Sequence, residues 1–105
     1  MNIQDLINTD VEFGVSEPAD FYIENGPGPY RGKISKIEAD SATILLTPQL
    51  FYHGSAFAKV TALPRHIGET FSELDTSKVL LANLVVNLPS ITHLIGGIRL
   101  RKCKN

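Results

Sequence analysis

The chain lacks tryptophan and holds one cysteine, Cys103, among its 105 residues. A lone cysteine excludes an intramolecular disulfide and is typical of a reducing compartment. Long apolar runs are also missing, since the longest, Val79–Leu88, falls far short of the roughly 20 residues that a membrane-spanning helix needs. The first residues show neither a basic start nor a long apolar segment, so no secretion signal is predicted. These absences predict a soluble, cytoplasmic protein.

The size and composition indicate one folded domain. With 43% hydrophobic and 20% charged residues, the chain has the ordinary balance of a globular protein. A typical domain holds roughly 100–150 residues, so residues 1–105 are expected to form a single globular domain. A chain of this length buries about two-thirds of its unfolded surface, which is enough for one hydrophobic core.

Charge is sorted along the chain. The formal net charge is −1, yet residues 1–25 contain no Lys or Arg and the final residues, from position 99, contain no acid. The charged residues of these two segments are Asp5, Asp10, Glu12, Glu17, Asp20 and Glu24 at the start, and Arg99, Arg101, Lys102 and Lys104 at the end. Such opposite charges can pair as neighbouring strands of one fold, or head to tail between two copies.

One segment has the pattern of a β-hairpin. Residues Arg31–Glu38 lead into a short turn, and Ala42–Thr47 return rich in Ile, Leu and Thr. On the outgoing arm Ile34 and Ile37 are three apart, so both face the core only if a bulge or bend lies between them. Gly32 eases such a bend because it has no side chain. The hairpin resembles the bent hairpin of SH3-like and Sm-like small barrels, and the resemblance implies a barrel architecture without indicating a family.

Other segments predict further strands. Val11–Val15 and Ile95–Arg101 alternate apolar with polar residues, and the Gly96-Gly97 pair predicts a bulge in the second of them. Phe57–Leu63 is a further predicted strand. Val79–Leu88 fits both a strand and a helix, and its valines favour the strand.

Two short helices complete the predicted fold. Apolar spacing predicts one or two helical turns over Ile3–Ile7 and a short helix over about Gly68–Leu74. Pro48 is expected to end the strand before it, and Phe51–Gly54 to form a turn that carries aromatics. The sequence thus predicts a mainly β (α+β) fold, a small curled sheet or partly open barrel of five to six antiparallel strands with one or two short helices.

The clearest polar cluster of the sequence surrounds Arg65 and His66. These residues lie between a predicted strand and a predicted helix start, where free backbone N–H groups favour anions. The guanidinium can hold a carboxylate or phosphate through two hydrogen bonds, and the imidazole is a titratable donor. We expect Tyr30, Tyr52 and His53 to line the same pocket, which would take a small anionic ligand.

Simpler explanations compete with this pocket. Arg65 can pair with Glu69 or Glu73, while His66 only satisfies the turn. The histidines lie on separate segments without the spacing of a metal-binding pair, and Cys103 has no second thiol, so no metal site is predicted. No sequence frame marks a catalytic residue or a cofactor site.

The basic C-terminal strand is a candidate surface for nucleic acid. Arg99 and Arg101 are expected on one face of the strand, and Lys102 and Lys104 on the other, which dilutes the patch. The sequence pI of about 6.3 lacks the basic excess of a dedicated nucleic-acid binder.

Three functional hypotheses follow from these patterns. The leading hypothesis is a non-enzymatic binding or interaction module that self-associates into a homo-oligomer, because sheet edges of complementary charge and the apolar Val79–Leu88 segment invite a second copy. The second is a small-molecule-binding protein or minor enzyme with its pocket near Arg65 and His66. The third is a nucleic-acid binder that uses the basic C-terminal strand.

Overall fold

The computed structural model describes residues 3–16, 20–38, 40–76, 78–88 and 92–103. The strands are β1 (Asp10–Val15), β2 (Tyr30–Glu38), β3 (Ser41–Tyr52), β4 (Ser55–Pro64), β5 (Leu80–Asn87) and β6 (Thr92–Lys102). One short helix, α1 (Asp20–Asn25), lies between β1 and β2. Two 3₁₀ turns, Ile3–Leu6 and Phe71–Thr76, precede β1 and β5.

The six strands form a closed antiparallel barrel in which each strand pairs with the next one in sequence. β1 and β6 complete the ring, with Phe13 opposite Leu100. The mainly β, antiparallel fold is therefore as predicted, and the ring is closed. In an open sheet the two outer strands would each have one edge that is unpaired along its whole length. In the closed barrel every strand pairs with a neighbour on both sides over at least part of its length.

Apolar residues that alternate along each strand fill the barrel interior. On β5, Leu80, Ala82, Leu84 and Val86 are buried, while the residues between them are partly exposed. The prediction of a strand over Val79–Leu88 is therefore correct. Full burial of a Leu, Val or Phe side chain contributes about 1.5–3 kcal/mol, so this interior accounts for most of the stabilisation.

A bulge in β2 lies where the spacing of two isoleucines predicted it. The register between β2 and β3 shifts at Ser35, between Ile34 and Lys36. Because of this extra residue, both Ile34 and Ile37 face the core. A spacing of three residues is thus accommodated within one strand.

A second bulge lies in β6. Between Ala82 and Leu84, β5 advances two residues while β6 advances three, from Ile98 to Ile95. The additional residue belongs to the Gly96-Gly97 pair, so the bulge predicted there is confirmed. The second of these glycines has a φ of 65°, a conformation that glycine adopts without steric cost.

β3 continues past the proline that was predicted to end it. Its register with β4 shifts around Pro48, and the strand then extends to Tyr52. The predicted strand end is wrong because a bulge accommodates a residue that cannot donate to the ladder. Phe51 therefore belongs to the strand, and the turn is confined to His53-Gly54, both at positive φ as in a two-residue hairpin turn.

Short helical segments cover the two barrel ends. Phe21 of α1 is buried with its ring 5.3 Å from that of Tyr30. Leu6 and Phe71 of the 3₁₀ turns are buried at the opposite end. The helix predicted over about Gly68–Leu74 is a 3₁₀ turn that begins later, at Phe71. No helix within the described ranges has the length and apolar character to cross a membrane.

Candidate functional surfaces

The predicted ligand-binding residues lie at both ends of the barrel. Tyr52 and His53 stand at the turn before β4, whereas Arg65 and His66 follow the last residue of that strand. β4 has 10 residues, which is about 30 Å of extended chain. These side chains therefore do not line one common pocket.

Tyr30 belongs to the aromatic core beneath α1. Its ring centroid lies 5.7 Å from that of Phe13, 5.3 Å from Phe21 and 6.2 Å from Tyr22. Its hydroxyl donates a hydrogen bond to the carbonyl of Gly26. Burial, with a smaller effect of Tyr22, raises the pKa of Tyr30. The hydroxyl is thus engaged in holding the loop between α1 and β2.

Tyr52 and His53 meet a third ring, that of His93, at the same end of the barrel. The centroid of Tyr52 lies 4.4 Å from that of His53 and 4.5 Å from that of His93, and the two imidazoles are 6.0 Å apart. His93 lies on β6, far from the others in sequence. No local pattern predicts this cluster, because its residues come from β3, the turn after it and β6, which meet only in the tertiary fold.

Two residues of α1 fasten the helix to the β3–β4 hairpin. The Glu24 carboxylate accepts hydrogen bonds from the N–H of His53 at 2.8 Å and of Gly54 at 2.6 Å. The Asn25 side chain accepts from the Phe51 N–H at 2.7 Å and donates to the Phe51 carbonyl at 2.9 Å. These contacts, which the sequence analysis did not identify, hold the turn that carries His53.

A cavity of about 420 Å³ lies at the opposite end, between the β2–β3 turn and the segment after β4. Ionisable residues of both signs line it, namely Arg65, His66, Asp40 and Glu69. Within the described parts of the chain, no ion pair joins any two of them. The alternative in which Arg65 pairs with Glu69 is thus absent, and the Glu73 side chain lies outside the described residues.

The backbone around this cavity is held by hydrogen bonds. The Arg65 N–H donates to the Leu81 carbonyl at 2.8 Å, and the Glu69 N–H donates to the His66 carbonyl at 3.2 Å. The next helical segment begins only at Phe71, so the helix-start argument for anion binding at this site is wrong. One carboxylate oxygen, Oε2 of Glu69, is buried and has no hydrogen-bond partner among the described residues. Such an unpaired atom costs about 1–3 kcal/mol, and more when charged.

The basic C-terminal strand forms the seam of the barrel. Arg99 and Arg101 are both exposed on the outer face of β6, Lys102 is partly buried, and Lys104 lies outside the described residues. Arg101 stands opposite Glu12 of β1 and binds its carboxylate through Nε and Nη2. At this seam the acidic start and the basic end pair within one chain.

Two larger hollows meet on the outer face of the barrel. One, of about 710 Å³, lies over β1, β2 and β3, the other, of about 530 Å³, lies beside α1, and Arg31 and Thr47 border both. Cys103 borders the larger hollow. Burial, followed by the charge of Glu12, raises the pKa of the Cys103 thiol, so it stays protonated at neutral pH.

The first half of β4, residues 55–60, has a free edge that we call the β4 edge. This segment pairs with β3, but pairing with β5 begins only beyond it. The two-residue turn makes Tyr52 and Ser55 the first hydrogen-bonded pair, so Ala56 directs its N–H and C=O groups away from β3. Ala58 lies at the register shift and has no ladder partner on β3. Both alanines border a cleft toward the end of β5. No described residue pairs with them on that side. This cleft, of about 160 Å³, separates the β4 edge from the end of β5.

No three His, Cys, Asp or Glu side chains within the described ranges are grouped so that they could hold a metal ion. No protein-family model matches the chain, and neither a curated protein nor a solved structure is significantly similar to it. The geometry of these surfaces is thus what bears on function.

Proposed function

We propose that this protein is a non-enzymatic, cytoplasmic interaction module that forms a homodimer through the β4 edge. The observation that carries the proposal is the row of unpaired backbone donors and acceptors at Ala56 and Ala58. An unpaired strand edge is a template for a strand of another chain. Both alanines are exposed and small, so a second strand can approach closely.

The β4 edge is complementary to a second copy of itself. If the two-fold axis passes at Phe57, Ala56 of each copy faces Ala58 of the other, and each such pair exchanges two N–H···O bonds. In this register Lys59 faces Ser55, so no like charges oppose each other. Phe57 is 6% exposed because its side chain lies in the core, and it does not obstruct the contact.

Apolar side chains near the β4 edge support the same proposal. Phe51, opposite Ala56 on the neighbouring strand, is 39% exposed, and Leu88 borders the cleft. Leu94 is 64% exposed on β6, opposite the partly exposed Val85. One face of the apolar β5 strand fills the core, and this outer group offers apolar surface to a partner. Its burial contributes about 25 cal/mol for each Å² of apolar area.

Size-exclusion chromatography with light scattering tests the dimer at tens of micromolar protein, in low and high salt. We expect a salt-stable dimer, because backbone hydrogen bonds and apolar contacts are screened little by ions. Ala58→Pro should give a folded monomer, since Ala58 has no ladder partner on β3 or β5 and a proline is tolerated there, but a proline cannot donate to a second copy. Ala58→Ser keeps the N–H and should remain dimeric.

The proposal fails if the wild-type chain is a monomer at this concentration, or if Ala58→Pro remains dimeric while its circular dichroism is unchanged. A monomer that binds an added extended peptide would assign the β4 edge to a foreign strand and would also overturn the homodimer.

Binding of a small anionic ligand is the second candidate function. It is favoured by the cavity that Arg65 and His66 border, in which neither side chain has an ion-pair partner among the described residues. Tyr30, Tyr52 and His53 are left out of this site because they lie at the other end of the barrel.

Nucleic-acid binding through β6 has less support. Arg101 is already bound to Glu12, and the chain as a whole carries a formal net charge of −1. Affinity for a phosphate backbone depends on the number of cations free to neutralise it, so an engaged arginine contributes less.

A further inference from the structure

We propose that the cavity beside Arg65 and His66 binds a small zwitterion, namely an α-amino acid with an apolar side chain. This inference rests on the small-ligand candidate and specifies the chemistry of its ligand. Two acidic residues, Asp40 and Glu69, share the cavity with the two basic ones. Carboxylates repel a simple anion, whereas a zwitterion binds best where groups of both positive and negative charge are present.

The basic side of the cavity suits a carboxylate. The Arg65 guanidinium can bind two carboxylate oxygens through parallel hydrogen bonds, and the neighbouring His66 ring offers another N–H donor. Both side chains are exposed, and neither forms an ion pair within the described residues. The carboxylate of an incoming ligand therefore displaces only water.

The acidic side of the cavity suits an ammonium group. The Asp40 side chain is exposed and the Glu69 side chain is partly exposed, and neither forms an ion pair with another described residue. A protonated amine carries three N–H donors and a positive charge, so it can bind the accessible parts of both carboxylates. An anion without an amine brings a like charge toward them.

The size and border of the cavity indicate a compact ligand with an apolar group. A volume of about 420 Å³ is at the small end of ligand pockets. Ile67 borders the cavity and is fully exposed, and Leu63 lies on the same border. An aliphatic side chain placed against Ile67 would cover apolar surface that nothing in the described chain covers.

A titration followed by amide chemical shifts of residues 63–69 tests the inference, with L-leucine as the zwitterion and acetate and isobutylamine as its singly charged controls. We expect L-leucine to bind at least about tenfold more tightly than either control, because only L-leucine satisfies both sides of the cavity. Glu69→Gln should weaken L-leucine binding by about tenfold or more, while acetate binding should stay the same or become tighter because a like charge is removed. Arg65→Gln should weaken both. Asp5→Asn, an exposed acid that does not border the cavity, is the matched control and should change neither.

The outcomes separate the inference from the candidate function beneath it. If acetate binds as tightly as L-leucine, or if Glu69→Gln leaves L-leucine binding unchanged, the zwitterion inference is overturned while the anion site stands. If no probe shifts these amides, both are overturned. Glu69→Gln changes a side chain that has no ion-pair partner among the described residues, so the variant should fold, and an unchanged melting temperature verifies this.

Discussion

At the scale of single residues, Gly32 shows most directly how closely two strands of this barrel approach. A Cβ atom at this position would lie 2.5 Å from Cγ2 of Ile44 and 2.7 Å from the carbonyl oxygen of Leu45. The second atom belongs to the backbone of β3 and cannot move without disturbing the ladder. The sequence accounts for Gly32 by the bend in β2. The structure adds a second reason, since β2 and β3 approach too closely at this position to leave room for a side chain.

Gly32→Ala is therefore expected to lower the free energy of unfolding by about 1–3 kcal/mol, the usual cost of overpacking. Gly14→Ala is the matched control, because a Cβ at Gly14 would meet nothing within 4 Å. The control should be neutral, or stabilising by about 0.5–1 kcal/mol, since alanine restricts the unfolded chain. Urea and thermal unfolding measure both variants, and equal effects would contradict the steric explanation.

At the scale of elements, α1 depends on its contacts rather than on its own helical stability. Six residues are too few for a helix to persist alone in water. The burial of Phe21 and the hydrogen bonds of Glu24 and Asn25 to the β3–β4 hairpin hold it in place. The helix in turn covers one end of the barrel and positions the turn that carries His53.

Asn25→Ala should lower the free energy of unfolding by about 1 kcal/mol in total. The hydrogen bonds that are lost lie at an exposed site, so together they contribute about as much as one typical hydrogen bond. The local effect is expected to be larger, because the N–H of Phe51 loses its only acceptor among the described residues. Hydrogen exchange at Phe51 should therefore accelerate while that of β5 stays unchanged. Ile23→Ala, on the same helix at a side chain that is 84% exposed, is the control. If hydrogen exchange accelerated equally across the barrel, the contacts of α1 would stabilise the whole fold and not only the β3–β4 hairpin.

At the scale of the whole molecule, closure of the barrel brings the two ends of the chain together. β1 and β6 lie side by side, so the acidic and basic ends are neighbours across the seam. The Glu12 side chain is 12% exposed and that of Arg101 is 53% exposed. An ion pair that is partly shielded from water is screened less by salt than a pair on the open surface.

A double-mutant cycle of Glu12→Gln and Arg101→Gln measures this closure, with unfolding free energies determined in urea. We expect a coupling of about 1–2 kcal/mol, between the values for exposed ion pairs and for hydrogen bonds to charged groups. The pair of Lys36 and Glu38 joins neighbours on one strand, and its side chains are 66% and 62% exposed, so the same cycle there should show no measurable coupling. Equal coupling energies in the two cycles would mean that the ion pair between β1 and β6 does not stabilise the closed barrel more than an exposed surface pair would.

The sequence by itself determined the strands and the bulges of β2 and β6. These features were predictable because side-chain alternation, the spacing of Ile34 and Ile37 and the glycines at the β6 bulge are local properties of the chain. The strand end predicted at Pro48 was wrong, because a proline ends a strand only where the neighbouring strand needs its N–H, and a bulge in the β3–β4 register removes that need. Only the tertiary structure decided that Glu12 meets Arg101 within one chain, that Asp40 and Glu69 share a cavity with Arg65, and that the β4 edge stays unpaired. Each of these depends on which distant strands become neighbours when the ring closes, and no local pattern encodes that choice.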